Sequence, residues 1–357
     1  MSVAVVTLRG MIFNRKGRGR LLEAVSDFEA AVRGQDADRA EQAFGALHEH
    51  FGEAGDQEVQ EAGARLAALL MDVPPGPRGT VAVIVGACVE RGADAGPCAP
   101  AVFEGLLDAV RGAGEFCERW AATGGGELPD PESSDVDDAL LERVGPQAAM
   151  AWWTLQQWEM ASVAMLNHPG VRTSLDPALR GEVLALLRPV EEASGHDFKC
   201  LTYALTVLDE EPLVALDRAS GRGYALRMSG IGDNFQLHTL LARVLAGGGH
   251  VDAYVPSAQE AAVCRDAPGQ VPTTGSFNLV AADGSWIWNE GAPVDIPVVD
   301  GARLLVLDPP PYPRGWPAGR FFPGMQGDLV LERVLTDEET ARWFAHVAPA
   351  KSPGAAV

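Results

Sequence analysis

Hydrophobic positions follow two different periods along the chain. From Leu21 they recur every three or four residues: Leu21, Leu22, Val25, Phe28 and Val32 share one stripe, as on an amphipathic helix. A second stripe of Ala40, Phe44, Leu47 and Phe51 follows a start near Asp36, and a third carries Val59, Leu66, Leu69 and Leu70. Pro74-Pro75-Gly76-Pro77 is expected to break any helix. Helical spacing resumes over 80–91, 101–112 and 114–122. Gly124 to Asp138 is polar, acidic and proline-containing, and reads as a loop. At its end Asp135, Asp137 and Asp138 stand where a helix begins, and carboxylates favour that positive dipole end. Further helices are expected over 136–144, 147–167, 177–193 and 197–209. About ten helices without an exact repeat predict an irregular all-α array, stacked in HEAT-like pairs or packed as a bundle.

The pattern changes after Glu210-Glu211-Pro212. Leu213–Leu216 and Tyr224–Met228 read as short strands around the turn Ser220-Gly221-Arg222-Gly223. A helix over 235–245 follows, stopped by Gly247-Gly248-Gly249. Residues 256–274 read as a loop. Ser276–Val280 and Trp286–Trp288 flank Asp283-Gly284, a hairpin signal. Strands at Arg303–Asp308 and Leu329–Leu335 and a helix over 337–347 complete the pattern. The fold class is therefore mixed α and β: a helical domain over 1–210, a smaller α+β domain with hairpin strands over 211–348, and a frayed tail over 349–357.

Charge narrows the partners. The net charge is −21, with 17 basic against 31 acidic residues in 1–205 and 11 against 18 in the rest. Neither part offers the broad basic surface that nucleic acid requires. The run Arg15-Lys16-Gly17-Arg18-Gly19-Arg20 is short and reads as a solvated helix entry. Five cysteines (Cys88, Cys98, Cys117, Cys200 and Cys264) are an odd count without a CxxC pair, which argues against a disulfide framework or a zinc knuckle. The first residues lack the charge and cleavage pattern of a signal peptide, and no run of 18 apolar residues exists. A soluble, cytoplasmic protein without membrane partners is expected.

No Walker loop, HExxH, GxSxG, EF-hand or kinase signature occurs. Four stretches carry candidate chemistry. Ala151 to Trp158 holds three Trp; Trp152, Leu155 and Glu159 share one helix face there, which suits a core seam or a groove. In Ser229 to His238 a Gly-rich turn opens a helix. Asp233 or Asn234 suits its N-cap, and Asn234 and His238 share a face. In Trp286 to Gly291 the rings of Trp286 and Trp288, with Asn289 and Glu290, suit the wall and rim of a pocket. Pro309 to Arg320 is a stiff aromatic loop in which Tyr312, Arg314 and Arg320 suit an anionic ligand.

His250 and Asp252 do not by themselves make a metal site, so no metal is assigned and no cofactor is named. These residues predict a ligand-binding or accessory protein with a polar-aromatic pocket in the C-terminal domain, for a peptide or small molecule. One alternative is a hydrolase or group-transfer enzyme with His238 as general acid/base oriented by Asp233. The other is an interaction scaffold that takes a protein partner through the helical domain.

Overall fold

The computed structural model describes residues 19–131 and 136–349. The basic residues at 15–18, Asp135 and the tail after Ala350 lie outside them. The chain divides into two compact units between Leu201 and Thr202. That point falls inside a helix, Lys199–Thr206. A change of hydrophobic period, which pointed to residue 210, cannot mark a boundary within one continuous helix.

The first unit is all helical among the described residues. Its helices are α1 (Arg20–Arg33), α2 (Ala37–Phe51), α3 (Asp56–Leu69), α4 (Pro75–Glu90), α5 (Ala95–Ala122), α6 (Asp138–Val144), α7 (Pro146–Leu166), α8 (Pro169–Ser174) and α9 (Pro177–Ser194), before the boundary helix α10 (Lys199–Thr206). Aspartates start many of them. Asp36, Asp94, Asp137 and Asp176 each accept a backbone N–H of the first turn. The proline cluster behaves differently from expectation. Pro75 is the first residue of α4, where the missing N–H has no helical partner to lose. The segments 101–112 and 114–122 are one helix, since Gly112 and Gly114 weaken α5 without breaking it.

Helices α5 and α7 pack along each other, with α4 on α7, α9 on α5, and α3 beside both α4 and α5. Their approach depends on Gly105. A Cβ there would stand 2.1 Å from Cη2 of Trp158. Trp152 stacks on Phe116 of α5 at 5.1 Å and 5°. Two of the three tryptophans of α7 are thereby buried in the helical core.

The second unit is α+β. Its elements are β1 (Glu211–Asp217), β2 (Arg222–Ser229), α11 (Asn234–Leu245), α12 (Ala258–Arg265), β3 (Val271–Thr274), β4 (Asn278–Ala281), β5 (Val298–Val299), β6 (Ala302–Asp308), β7 (Gly315–Ala318), β8 (Asp328–Val334) and α13 (Asp337–Phe344). The main sheet runs β4-β6-β1-β2-β8, with β5 also on β6, and β3 and β7 form a separate ribbon. The β1/β6 pair is parallel and the other pairs are antiparallel.

Alternate residues of the central strands serve two cores. Leu213, Ala215, Leu226, Leu305 and Leu307 pack with Leu237, Leu240 and Leu241 of α11. Val214, Leu216 and Leu304 face the other way, toward Trp343 and Phe344 of α13. Burial on both faces is why β1 reads as a continuous apolar run. Three elements, α12, β3 and β7, fall in segments expected to be loops. Helix α12 begins with a reciprocal cap between Ser257 and Glu260. Strand β7 contains Pro317, tolerated because the ribbon bonds only one of its edges.

Candidate functional site

The predicted polar residues of the α+β unit meet at the first turns of α11, and most of them hold backbone. Asp233 is the N-cap and accepts the Gln236 amide at 2.8 Å. Asn234 is fully buried. Its Nδ2 donates to the carbonyls of Trp288 (2.9 Å) and Ala292 (3.4 Å), and its amide donates to Gly291 (2.9 Å). Gln236 accepts from the Gly232 amide and donates to the Cys264 carbonyl. His238 Nε2 accepts the amides of Ser276 (2.9 Å) and Phe277 (3.2 Å). Three polar side chains, two residues apart, thus pin two loops and the last turn of α12 to one helix.

His238 has no exposed surface. Its ring lies against Phe277 and meets Trp316 edge-on at 4.8 Å. Because Nε2 is an acceptor, the proton of the neutral ring sits on Nδ1, and the Asn289 side chain is close enough to act on the ring. Burial, reinforced by the Arg314 charge and only partly opposed by Asn289, lowers its pKa to about 3. The ring is neutral at physiological pH and its basic nitrogen is engaged.

Arg314 donates to the Phe277 carbonyl (2.7 Å) and Arg320 to that of Arg265 (3.2 Å). Cys264 is buried, and burial pushes its thiol up to about 11. The structure therefore brings Asn234, His238, Asn289 and Arg314 together with the backbone of Trp288. The predicted aromatic wall stands at the surface. Trp286 and Trp288 lie 5.8 Å apart at 62°, and Trp288 is 59% exposed. Glu290 and Tyr312 are exposed as well, and the Glu290 carbonyl accepts from Tyr203.

A cleft opens instead in the helical unit. It holds about 600 Å³ between the segment Gly126–Pro131, one face of α7 and the end of α9. Trp152, Leu155 and Gln156 supply the α7 wall, and Ala193 to His196, with Phe198, supply the other. The Trp152 indole donates to the Pro129 carbonyl (2.9 Å), which ties the 126–131 segment to α7. Gly195 ends α9 in the left-handed conformation and donates to Glu191. The chain then turns so that the Glu191 carboxylate accepts the Phe198 amide and His196 lies 4.5 Å from the Phe198 ring.

Glu159 is one turn along α7 from Leu155. Its carboxylate is largely buried and lies 3.8 Å from His196 Nε2. Burial raises its pKa, with a smaller push from Asp197, against the opposing pulls of His196 and the Leu201 amide. Nearby Cys200 is exposed, yet partial burial with the charges of Glu159 and Asp197 raises its thiol pKa, so it stays protonated at neutral pH.

The face carrying Trp152, Leu155 and Glu159 was visible in the helical period. Its partners were not, because His196 and Phe198 lie in a short irregular stretch without period or motif. No group of His, Cys, Asp and Glu able to hold a metal ion occurs among the described residues. No described helix is long and apolar enough to cross a membrane. Comparison with protein-family models, curated proteins and solved structures finds no match.

Proposed function

We propose that this protein binds a small molecule, and that the cleft of the helical unit is the binding site. The observation that carries the reading is an open cavity of about 600 Å³, within the range of small-molecule sites, whose walls mix apolar and polar groups. Next to it is a carboxylate whose pKa is raised by burial, the kind of group that concentrates at functional sites. Binding without covalent chemistry fits the protonated Cys200 thiol and the buried His238, whose basic nitrogen is already engaged.

A fragment screen by two-dimensional NMR tests this, with the Trp152 indole N–H as reporter, assigned through Trp152→Phe. Hits that shift the Trp152 and Gln156 signals support the cleft. Hits confined to the α+β unit overturn it.

A second reading rests on Trp288. An indole 59% exposed, on a loop anchored by a buried asparagine, has the form of a rigid aromatic anchor for a protein partner. Trp288→Ala would then abolish partner capture and leave fragment binding at the cleft unchanged.

A further inference from the structure

We infer that the α+β unit binds one internal water molecule between Asn234, His238 and Asn289, and that this water ties the loop displaying Trp288 to helix α11. The site is separate from the cleft and stands or falls independently of it. Its three side chains are 0%, 0% and 4% exposed. Each presents a buried polar atom that no described protein group meets in hydrogen-bond geometry: Oδ1 of Asn234, Nδ1 of His238 and Oδ1 of Asn289. Protein interiors leave few such atoms unpaired, and a water that meets three of them at once is a common solution.

The backbone brings the three together. Asn234 and His238 stand one turn apart on α11 and share a face. The chain at Trp288 and Asn289 runs past both. The Trp288 carbonyl accepts from Asn234 Nδ2 at 2.9 Å, and the Asn289 side chain lies close enough to act on the His238 ring. The hydrogen-bond directions are set by the other partners. Asn234 Nδ2 is held by two carbonyls, which leaves Oδ1 as an acceptor. His238 Nε2 accepts two amides, which makes Nδ1 the donor.

Two carbonyl oxygens and one N–H call for an occupant with two donors and one acceptor, and a single water supplies them. A carboxylate would set its lone pairs against both oxygens. An ammonium would offer no lone pair to Nδ1–H. Phe277 lies along the imidazole and Trp316 meets it edge-on, so the rings shield this water from exchange with solvent. In this tautomer His238 donates to the water and cannot take a proton from it, which makes the water a structural tie and not a nucleophile.

The test is water-selective NOE and ROE spectroscopy on the full chain. The His238 Nδ1–H signal is assigned by its disappearance in His238→Gln. A cross-peak from Nδ1–H to water, with the sign of a long-lived water, is expected. Asn289→Leu is close in volume and lacks the oxygen. It should abolish the cross-peak and speed hydrogen exchange of the loop amides around Trp288 roughly tenfold, while the β1 amides keep their rates. A visible Nδ1–H without a water cross-peak would overturn the inference, and so would a cross-peak that survives Asn289→Leu. A crystal structure with ordered solvent decides it independently. A water within about 3.2 Å of all three atoms supports the site, and Asn289 Oδ1 bonded directly to Nδ1 overturns it.

Discussion

Glu159 and His196 face each other across 3.8 Å, one on α7 and the other just past α9, and burial raises the pKa of the carboxyl group above its ordinary value. A carboxyl group whose pKa rises on folding favours the folded state at low pH. That contribution is lost as the pH climbs from the usual carboxylate value of 4.5 through the raised one. Glu159→Gln should therefore melt higher than the parent at pH 7, with the difference shrinking toward pH 4. Paired thermal melts at the two pH values check it, and a variant that is less stable at pH 7 would contradict it.

His238 makes the opposite prediction. Its pKa falls from 6.5 to about 3 on folding, so its contribution is complete above pH 6.5 and is lost as the pH drops toward 3. The loss approaches about 1.4 kcal/mol per pH unit in that window. His238→Gln keeps an acceptor for Ser276 and Phe277 and should flatten this part of the stability profile. His238→Ala leaves two buried amides without a partner and a cavity beside Phe277, and should cost about 2–4 kcal/mol at pH 7. Urea unfolding of the three proteins from pH 4 to pH 7 separates these effects.

Two glycines of α5 should respond in opposite directions to the same substitution. A methyl group at residue 105 would overlap the Trp158 ring, whereas nothing lies within 4 Å of a Cβ at residue 114. Gly105→Ala is expected to destabilise by about 1–3 kcal/mol through overpacking. Gly114→Ala should stabilise by about 0.5–1 kcal/mol through helix propensity. Denaturant midpoints suffice for the comparison.

Removing the Asn234 carboxamide should loosen the loop that displays Trp288. Asn234→Ala deletes the donor to the Trp288 and Ala292 carbonyls, at a cost of about 1–3 kcal/mol. Hydrogen exchange of amides in 287–292 should accelerate while the β1 and β6 amides keep their protection. Unchanged exchange in that loop would show that other contacts hold it.

The fold was readable wherever period and caps agreed. The stripe from Leu21 to Val32, the helix start near Asp36, the strand at Leu213–Leu216 and a helix opening at Asp233 or Asn234 all follow from local sequence. Short elements were hidden for definite reasons. Strand β7 carries a proline, and α12 has only eight residues, too few to display a period. Polarity on an apolar helix was ambiguous in principle. Asn234 and His238 share a face as their spacing requires, but sequence does not reveal that their partners are the backbones of Trp288 and Ser276. The cleft escaped for a related reason. Its α7 face was legible, while the opposing wall comes from 126–131 and 193–198, brought beside it by packing alone.

The parallel pairing of β1 with β6 has a consequence for how the protein is made. Leu213 to Asp217 find their neighbours at Arg303 to Leu307, with the helix α11 and most of the unit between them in the chain. Such long-range pairing is slow to form. During synthesis the helical unit has its local contacts available early. The β1–β2 hairpin must wait with both edges uncovered, the β1 edge until residues 303–307 and the β2 edge until residues 328–334 have been made. Unpaired strand edges in that interval are the feature of this chain most open to aggregation.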